Sequence, residues 1–238
     1  MKTFRTVLVT ELRLATRNVD MIVFGIIFPV IVLLVTGWVS DPEDMNANFA
    51  GIVCFGICAA GLMMLPLTIA DYRHRKVLKR FRVTPTSPAT LLGSSALAAC
   101  GFVAVSAVAT YLVARFVFDV TISGGPGRFV IAFLFVQAAI FGVGTLVGGV
   151  ASNAKVANAL AAGLYFPMIL LSGVAVPFEV FPRPVQLAAQ ILPATQGVAL
   201  LKGVVLGEPW TGMLIPAAIL AVLGAVTYTV AVLRFRWE

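Results

Sequence analysis

The sequence predicts an all-α integral membrane protein that crosses the bilayer six times, and three observations carry that prediction. Of the 238 residues, 60% are hydrophobic, mean hydropathy is +1.02 and only 11% are charged, against about 25% in an ordinary soluble domain. The apolar residues gather into runs that reach the roughly 20 residues needed to span a hydrocarbon core. The 17 Lys and Arg residues sit in short segments between those runs or near their ends. A net charge of +7 on a soluble surface would point to nucleic acid. Distributed this way it instead orients a protein against anionic lipid, and nucleic-acid binding is set aside.

Residues 1–20 predict an amphipathic helix at the membrane interface. Lys2, Arg5, Arg13 and Arg17 alternate with Phe4, Val7, Val9 and Leu12, and no isolated apolar core with a small-residue cleavage site marks a secretory signal. The first crossing covers about residues 21–39. An acidic turn at 40–48 leads to the second, about 49–70, where Pro66 removes a backbone donor and is expected to kink or thin the helix. A basic segment, 71–88, is broken by Pro85 and Pro88 before the third crossing, about 89–118, which is long enough to tilt or project. A glycine-rich turn precedes the fourth crossing, about 129–150. There Gly142, Gly144, Gly148 and Gly149 permit close helix packing.

The fifth crossing runs over about 157–174. In residues 175–209, Pro177, Pro182, Pro184 and Pro193 interrupt moderately apolar stretches. This pattern predicts a broken, re-entrant helical element in the outer leaflet, allowed where protein or water satisfies its backbone. The last crossing covers about 212–233 and ends in a short basic tail. On this layout the proposed inner side holds thirteen Lys and Arg, whereas Arg115, Arg128, Arg183 and Lys202 fall on the outer side. Both termini are therefore expected in the cytoplasm. The whole chain, 1–238, reads as one transmembrane domain.

Chemistry is sparse. No GxxxxGK[ST] run occurs, so the chain has no phosphate-cradling loop and is not expected to hydrolyse ATP or to act as an enzyme. The single histidine, His74, lies among arginines with no nucleophile beside it. The predicted crossings contain no Asp or Glu, which removes the usual handle for proton or sodium coupling. Thr68, Gln137 and Thr227 remain, and interhelical hydrogen bonding is their expected use. Cys54, Cys58 and Cys100 lie in apolar runs and read as small packing residues rather than metal ligands. No catalytic, cofactor-binding or metal-binding residue is predicted.

The densest local signal is Asp71 to Thr90. Arg73, Arg75, Lys76, Lys79, Arg80 and Arg82 surround Val77, Leu78 and Phe81, which fall close enough on a helix to form an apolar patch. Such a helix cannot bury a core alone. It can lie on anionic lipid, dock into a soluble partner, or serve orientation only.

Two stretches then carry a family resemblance. LKRFRVTPTSPATLLGS, Leu78–Ser94, resembles the cytoplasmic loop of the type-2 permeases of ATP-binding-cassette exporters, in which a basic helix precedes a "TP" turn, here Thr84 and Pro85. The run from Ile169 to Gly207 resembles the family's "LSG…P.E..P" and "LP.T" signatures. The resemblance implies that Arg75–Arg82, with Asp71 just before it, is a coupling helix seated in an ATP-binding subunit. It also implies that Phe4–Arg17 is a connecting helix along the membrane. Ser172, Gly173, Pro177, Glu179 and Pro182 would shape the chain's return into the outer leaflet, continued by Leu192, Pro193 and Thr195. The chain departs from the family in lacking the usual Glu/Arg mixture and Gly-Thr pair before the coupling helix, where it has Asp71, Tyr72, Arg73, His74 and Arg75.

By this resemblance the chain is the permease subunit of an ATP-driven exporter in a bacterial plasma membrane, similar to the drug and antibiotic-efflux branch. The implied partners are two copies of a separate ATP-binding protein, which would hold the ATP and Mg2+, and a second permease chain forming a homodimer in lipid. Polysaccharide, peptide or lipid-linked cargo fits the same machinery. A non-transporting membrane anchor or sensor that recruits a soluble protein through residues 71–88 is the alternative from another class, and it leaves the proline-broken element unexplained.

Overall fold

A computed structural model describes residues 8–10, 13, 22–74, 88–174 and 178–234. The interfacial segment is therefore almost entirely outside the described residues. So are Arg75, Lys76, Val77, Leu78, Lys79, Arg80, Phe81, Arg82, Thr84 and Pro85 of the basic segment, Pro177, and the tail after Arg234. Among the described residues every regular element is helical. Five helices are long and apolar enough to cross a membrane, or six if one sharply bent pair counts as a single span, and Gly25–Val39 forms a shorter apolar helix.

We number the helices in chain order. A π-helical turn, Val23–Ile27, runs into α1, Phe28–Val39. Next, α2 comprises a 3-10 turn, Pro42–Asp44, then Met45–Cys58, a π-helical stretch Ala59–Met64, and Leu65–His74. It starts at Pro42, inside the 40–48 segment expected to be a turn, because that acidic segment is itself helical. Pro42 occupies a first-turn position, where its missing N–H costs nothing, and Glu43 and Asp44 lie at the positive end of the helix dipole. Pro66 does not end α2. The π-helical turn stands just before it, and the helix continues beyond, which is how a helix absorbs the lost backbone bond and the clash of the proline ring.

Helix α3 spans Pro88–Phe118 and α4 spans Pro126–Val150. Between them Asp119 takes a left-handed conformation, φ 54°, and Val120 N–H returns to the Ala114 carbonyl at 3.2 Å, closing the helix end. α5 spans Ala154–Leu171, and its start is capped by Asn153, whose Oδ1 accepts from Val156 N–H at 2.9 Å. Two shorter helices, α6 (Arg183–Ala189) and α7 (Pro193–Leu206), meet at 86°. α8 spans Trp210–Arg234.

α2 and α4 form the centre: 67% and 61% of their most apolar windows are buried, against 28% for α3, 22% for α5 and 17% for α8. The side chains of Phe49, Ile57, Ile140, Leu201 and Leu220 are fully enclosed. Phe49 stacks on Phe129 at 5.7 Å and tilts against Tyr111 at 5.8 Å, joining α2, α3 and α4. Outward faces carry Phe116, Ile131, Ile215 and Val222 exposed. A soluble domain would cover so many large apolar side chains, whereas lipid accepts them.

Two threonines within the bundle are satisfied locally. The hydroxyls of Thr68 and Thr227 donate to the carbonyls of Met64 and Leu223 in their own helices, at 2.9 and 2.7 Å, so among the described residues neither donates across helices as expected. Gln137 does bridge helices, its Nε2 donating to the Cys100 carbonyl at 3.4 Å.

Candidate functional site

One face of the bundle, the rim, collects the α1–α2 and α3–α4 connections and the start of α8. Thr121 N–H donates to Asn46 Oδ1 at 3.0 Å, and the Arg128 guanidinium lies 4.9 Å from the Trp210 ring. The α3–α4 connection also closes the end of α7. Ser123 and Gly124 donate their N–H groups to the carbonyls of Val205 and Val204 at 2.9 and 3.0 Å, and Gly207, φ 74°, makes the left-handed exit. α7 is therefore anchored at the rim by its C-terminal end.

Its other end lies deep in the bundle. Cys54 Sγ contacts the Ala194 carbonyl at 3.6 Å, and a Cβ on Gly197 would lie 2.8 Å from Val136 and 3.0 Å from Cys54. At 1.5 Å per residue, Cys54 is about 18 Å along α2 from Pro42, and Val136 about 15 Å along α4 from Pro126. The bend between α6 and α7 thus sits roughly half a hydrocarbon thickness below the rim. The chain leaving α5 turns at a similar depth, since Val174 packs beside Gly51, about 14 Å along α2.

The sequence reasons for the bend are local. Ser172 is buried and its Oγ donates to the Ile169 carbonyl at 3.0 Å, while Gly173 takes φ 85°, a left-handed conformation that a side chain would strain. Glu179 falls in a 3-10 turn, Phe178–Val180, with its side chain outside the described set. Pro182 is exposed and precedes α6. Gln186 Nε2 ties that turn together by donating to the Phe181 carbonyl at 2.8 Å. Half-buried Leu192 precedes α7, and buried Pro193 is its first residue. Because the ring of Pro193 disfavours a helical conformation at Leu192, α6 cannot run on into α7.

Beside this bend opens a cleft of about 810 Å³. α7 and the segment before it contribute Gln190, Thr195, Gln196, Val198 and Lys202, and α2 contributes Asp44, Asn48 and Ile52. Thr36 of α1, Ser172 and Gly173 after α5, and Ile215, Pro216 and Ile219 of α8 also line it. Among the described lining residues the α2 and α7 side carries most of the polar groups, with one acid, Asp44, and one base, Lys202, and the α8 side is apolar. Of the residues singled out from sequence, Ser172, Gly173 and Thr195 meet here. Asp71 lies at the far end of α2, half-buried. Asp44, Asn48, Gln190, Gln196 and Lys202 were missed. Their signal was spacing: Asp44 with Asn48, Ile215 with Ile219, and Thr195 with Lys202 recur on single helical faces.

Three of the glycines of α4 serve the seams of this same chain. A Cβ on Gly144 would collide with the Gly61 carbonyl, one on Gly142 would meet Thr227 at 2.6 Å, and one on Gly148 would meet Ile69 at 3.0 Å. Gly149 is also buried. The seam between α2 and α4 is therefore a backbone-to-backbone approach at the π-helical turn.

The family model described as ABC-2 type transporter matches residues 2–206. No curated protein matches the chain.

Proposed function

Because the chain belongs to the ABC-2 type transporter family, whose members are transmembrane permease components working with separate ATP-binding subunits, we propose that it is the permease of an exporter moving a small amphiphile. The match across residues 2–206 carries this reading. The cleft at the α6–α7 bend supports the amphiphile, since it sets an apolar wall opposite polar groups, and the "LSG…P.E..P" run supports a drug-like or antibiotic-like cargo.

In this reading the rim is the outer side of a bacterial plasma membrane, with both termini cytoplasmic. α6 and α7 are then a re-entrant pair in the outer leaflet. Arg75–Arg82, followed by Thr84 and Pro85, form the coupling helix seated in the ATP-binding subunit. That subunit, present in two copies, supplies ATP and Mg2+ chemistry, and two permease chains enclose the path. The glycines of α4 do not locate that interface, because Gly142, Gly144 and Gly148 face neighbours within the chain.

α2 supplies a mechanical link between the two ends. It runs without a break from Asp44 at the cleft to His74, the residue before the coupling segment. Force on that segment would reach the cleft along one helix whose midpoint is a π-helical turn.

The test is co-reconstitution with the separate ATP-binding subunit of this reading. Proteoliposomes should accumulate a fluorescent anionic or zwitterionic amphiphile only with ATP and both subunits, and the permease alone should hydrolyse no ATP. Saturable hydrolysis by the purified permease, or no ATP-dependent movement of any amphiphile by the complex, would reject the reading.

A further inference from the structure

The two ends of α7 are treated differently. Its last carbonyls are closed by Ser123, Gly124, Gly207 and Glu208. Its first turn has no side-chain cap, although it lies deep in the bundle, where an unmatched polar group is costly. Pro193 has no N–H, and Gln196 N–H returns to the Leu192 carbonyl at 3.2 Å. The N–H groups left over by the helix are therefore those of Ala194 and Thr195. Thr195 is 8% exposed and lines the cleft, and its Oγ1 has no hydrogen-bond partner among the described residues. A buried hydroxyl without a partner is rare in a finished structure and calls for something to complete it.

The surroundings say what that is. The N-terminal end of a helix carries partial positive charge and favours an acceptor or anion. Lys202, exposed two turns further along the same face, adds a positive group to the cleft. Asp44 is on the α2 side. Ile215, Pro216 and Ile219 of α8 offer a hydrocarbon surface opposite the polar wall.

We propose that the start of α7 is a binding subsite for the acceptor oxygen of an amphiphile, with Thr195 Oγ1 donating the specific hydrogen bond, Lys202 attracting anionic forms, and α8 receiving the tail. A carboxylate or a phosphate ester provides this oxygen, the first on a transported amphiphile and the second on a membrane lipid. The subsite deepens the export reading by saying how cargo is held. Binding does not require that reading, and it is measured without ATP.

The experiment uses the full chain in phosphatidylcholine nanodiscs with radiolabelled dodecanoate, competed by unlabelled dodecanoate or by dodecyltrimethylammonium, which has the same tail and no acceptor. Dodecanoate should bind saturably, and the cationic competitor should be at least about tenfold weaker. Thr195→Val, which keeps the shape and loses the hydroxyl, should weaken dodecanoate about tenfold, as expected when a charged group loses one hydrogen bond. Thr195→Ser should bind like wild type. Lys202→Gln, an exposed substitution that leaves the fold intact, should weaken dodecanoate and leave the competitor unchanged.

Displacement by phosphatidylglycerol in the nanodisc assigns the site to lipid headgroups, and insensitivity to it assigns the site to free amphiphile. Absence of saturable binding, equal affinity for the two amphiphiles, or full affinity in a folded T195V protein would overturn the proposal. Binding as described in a complex that moves no substrate would reject export and leave the subsite standing.

Discussion

Cys54 Sγ lies 3.6 Å from the carbonyl oxygen of Ala194, a contact between residues 140 positions apart in the chain. It holds the start of α7 against the middle of α2. The neighbouring Gly197 makes that approach possible, because a Cβ there would lie 3.0 Å from the same sulfur and 2.8 Å from Val136. The depth of the α6–α7 bend rests on this trio.

Gly197→Ala should therefore lower stability by about 1–3 kcal/mol, the usual cost of overpacking, read as a lower midpoint of thermal unfolding in one detergent. Combined with Val136→Ala, the loss should be smaller than the sum of the single effects by at least about 0.5 kcal/mol. Strict additivity would mean that the two side chains do not compete for the same space.

The contact between Gly144 and the Gly61 carbonyl is less forgiving, because the obstacle is backbone. Gly144→Ala should separate α2 from α4 and cut the yield of folded protein. Gly101→Ala is the control. Nothing lies within 4 Å of its added Cβ, and in a helix the change should be neutral or stabilising by up to about 1 kcal/mol. Equal behaviour of the two variants in a thermal melt would show that the α2–α4 approach is looser than drawn.

Topology can be read chemically. In a chain whose Cys54, Cys58 and Cys100 are replaced, a single cysteine at position 43 or 123, both on the rim, should react with an impermeant maleimide in intact cells. One at position 76 should react only after the membrane is opened. Rapid labelling at 76 in intact cells inverts the assignment of the rim to the outside.

For the coupling segment, the apolar anchor should matter more than any one charge. Burying a Phe is worth roughly 1.5–3 kcal/mol, whereas an exposed ion pair contributes about 0–1 kcal/mol. Phe81→Ala should weaken capture of the ATP-binding subunit or uncouple its ATPase from transport at normal membrane abundance. Lys79→Ala should do much less. Wild-type assembly and coupling in F81A would move the joint elsewhere.

Much of the architecture is written in local sequence. Apolar runs mark helices that only lipid or a core can cover, and Pro42, Pro126 and Pro193 start helices because a proline at the first turn loses no bond. Gly173 and Gly207 turn where φ is positive. Pro193 stood out as part of a broken element because the break is a property of neighbouring residues, whereas Leu192 and Thr195 were implied by the family resemblance. Even so, local reading took the acidic segment 40–48 for a turn, although it is helical from Pro42. Acids after a serine look like a loop until Pro42 is seen to begin a helix.

The sequence by itself determined that this chain is a helical membrane protein of the permease type, since hydropathy, basic segments and short motifs act over a few turns of helix. Tertiary structure alone decided how deep the α6–α7 bend sits, which glycines face backbone, and that Asp44, Asn48, Thr195 and Lys202 line one cleft. Each of those facts is a distance between segments far apart in the chain. In a bundle where nearly every side chain is apolar, close packing selects such pairings, and hydrophobicity scarcely distinguishes among them.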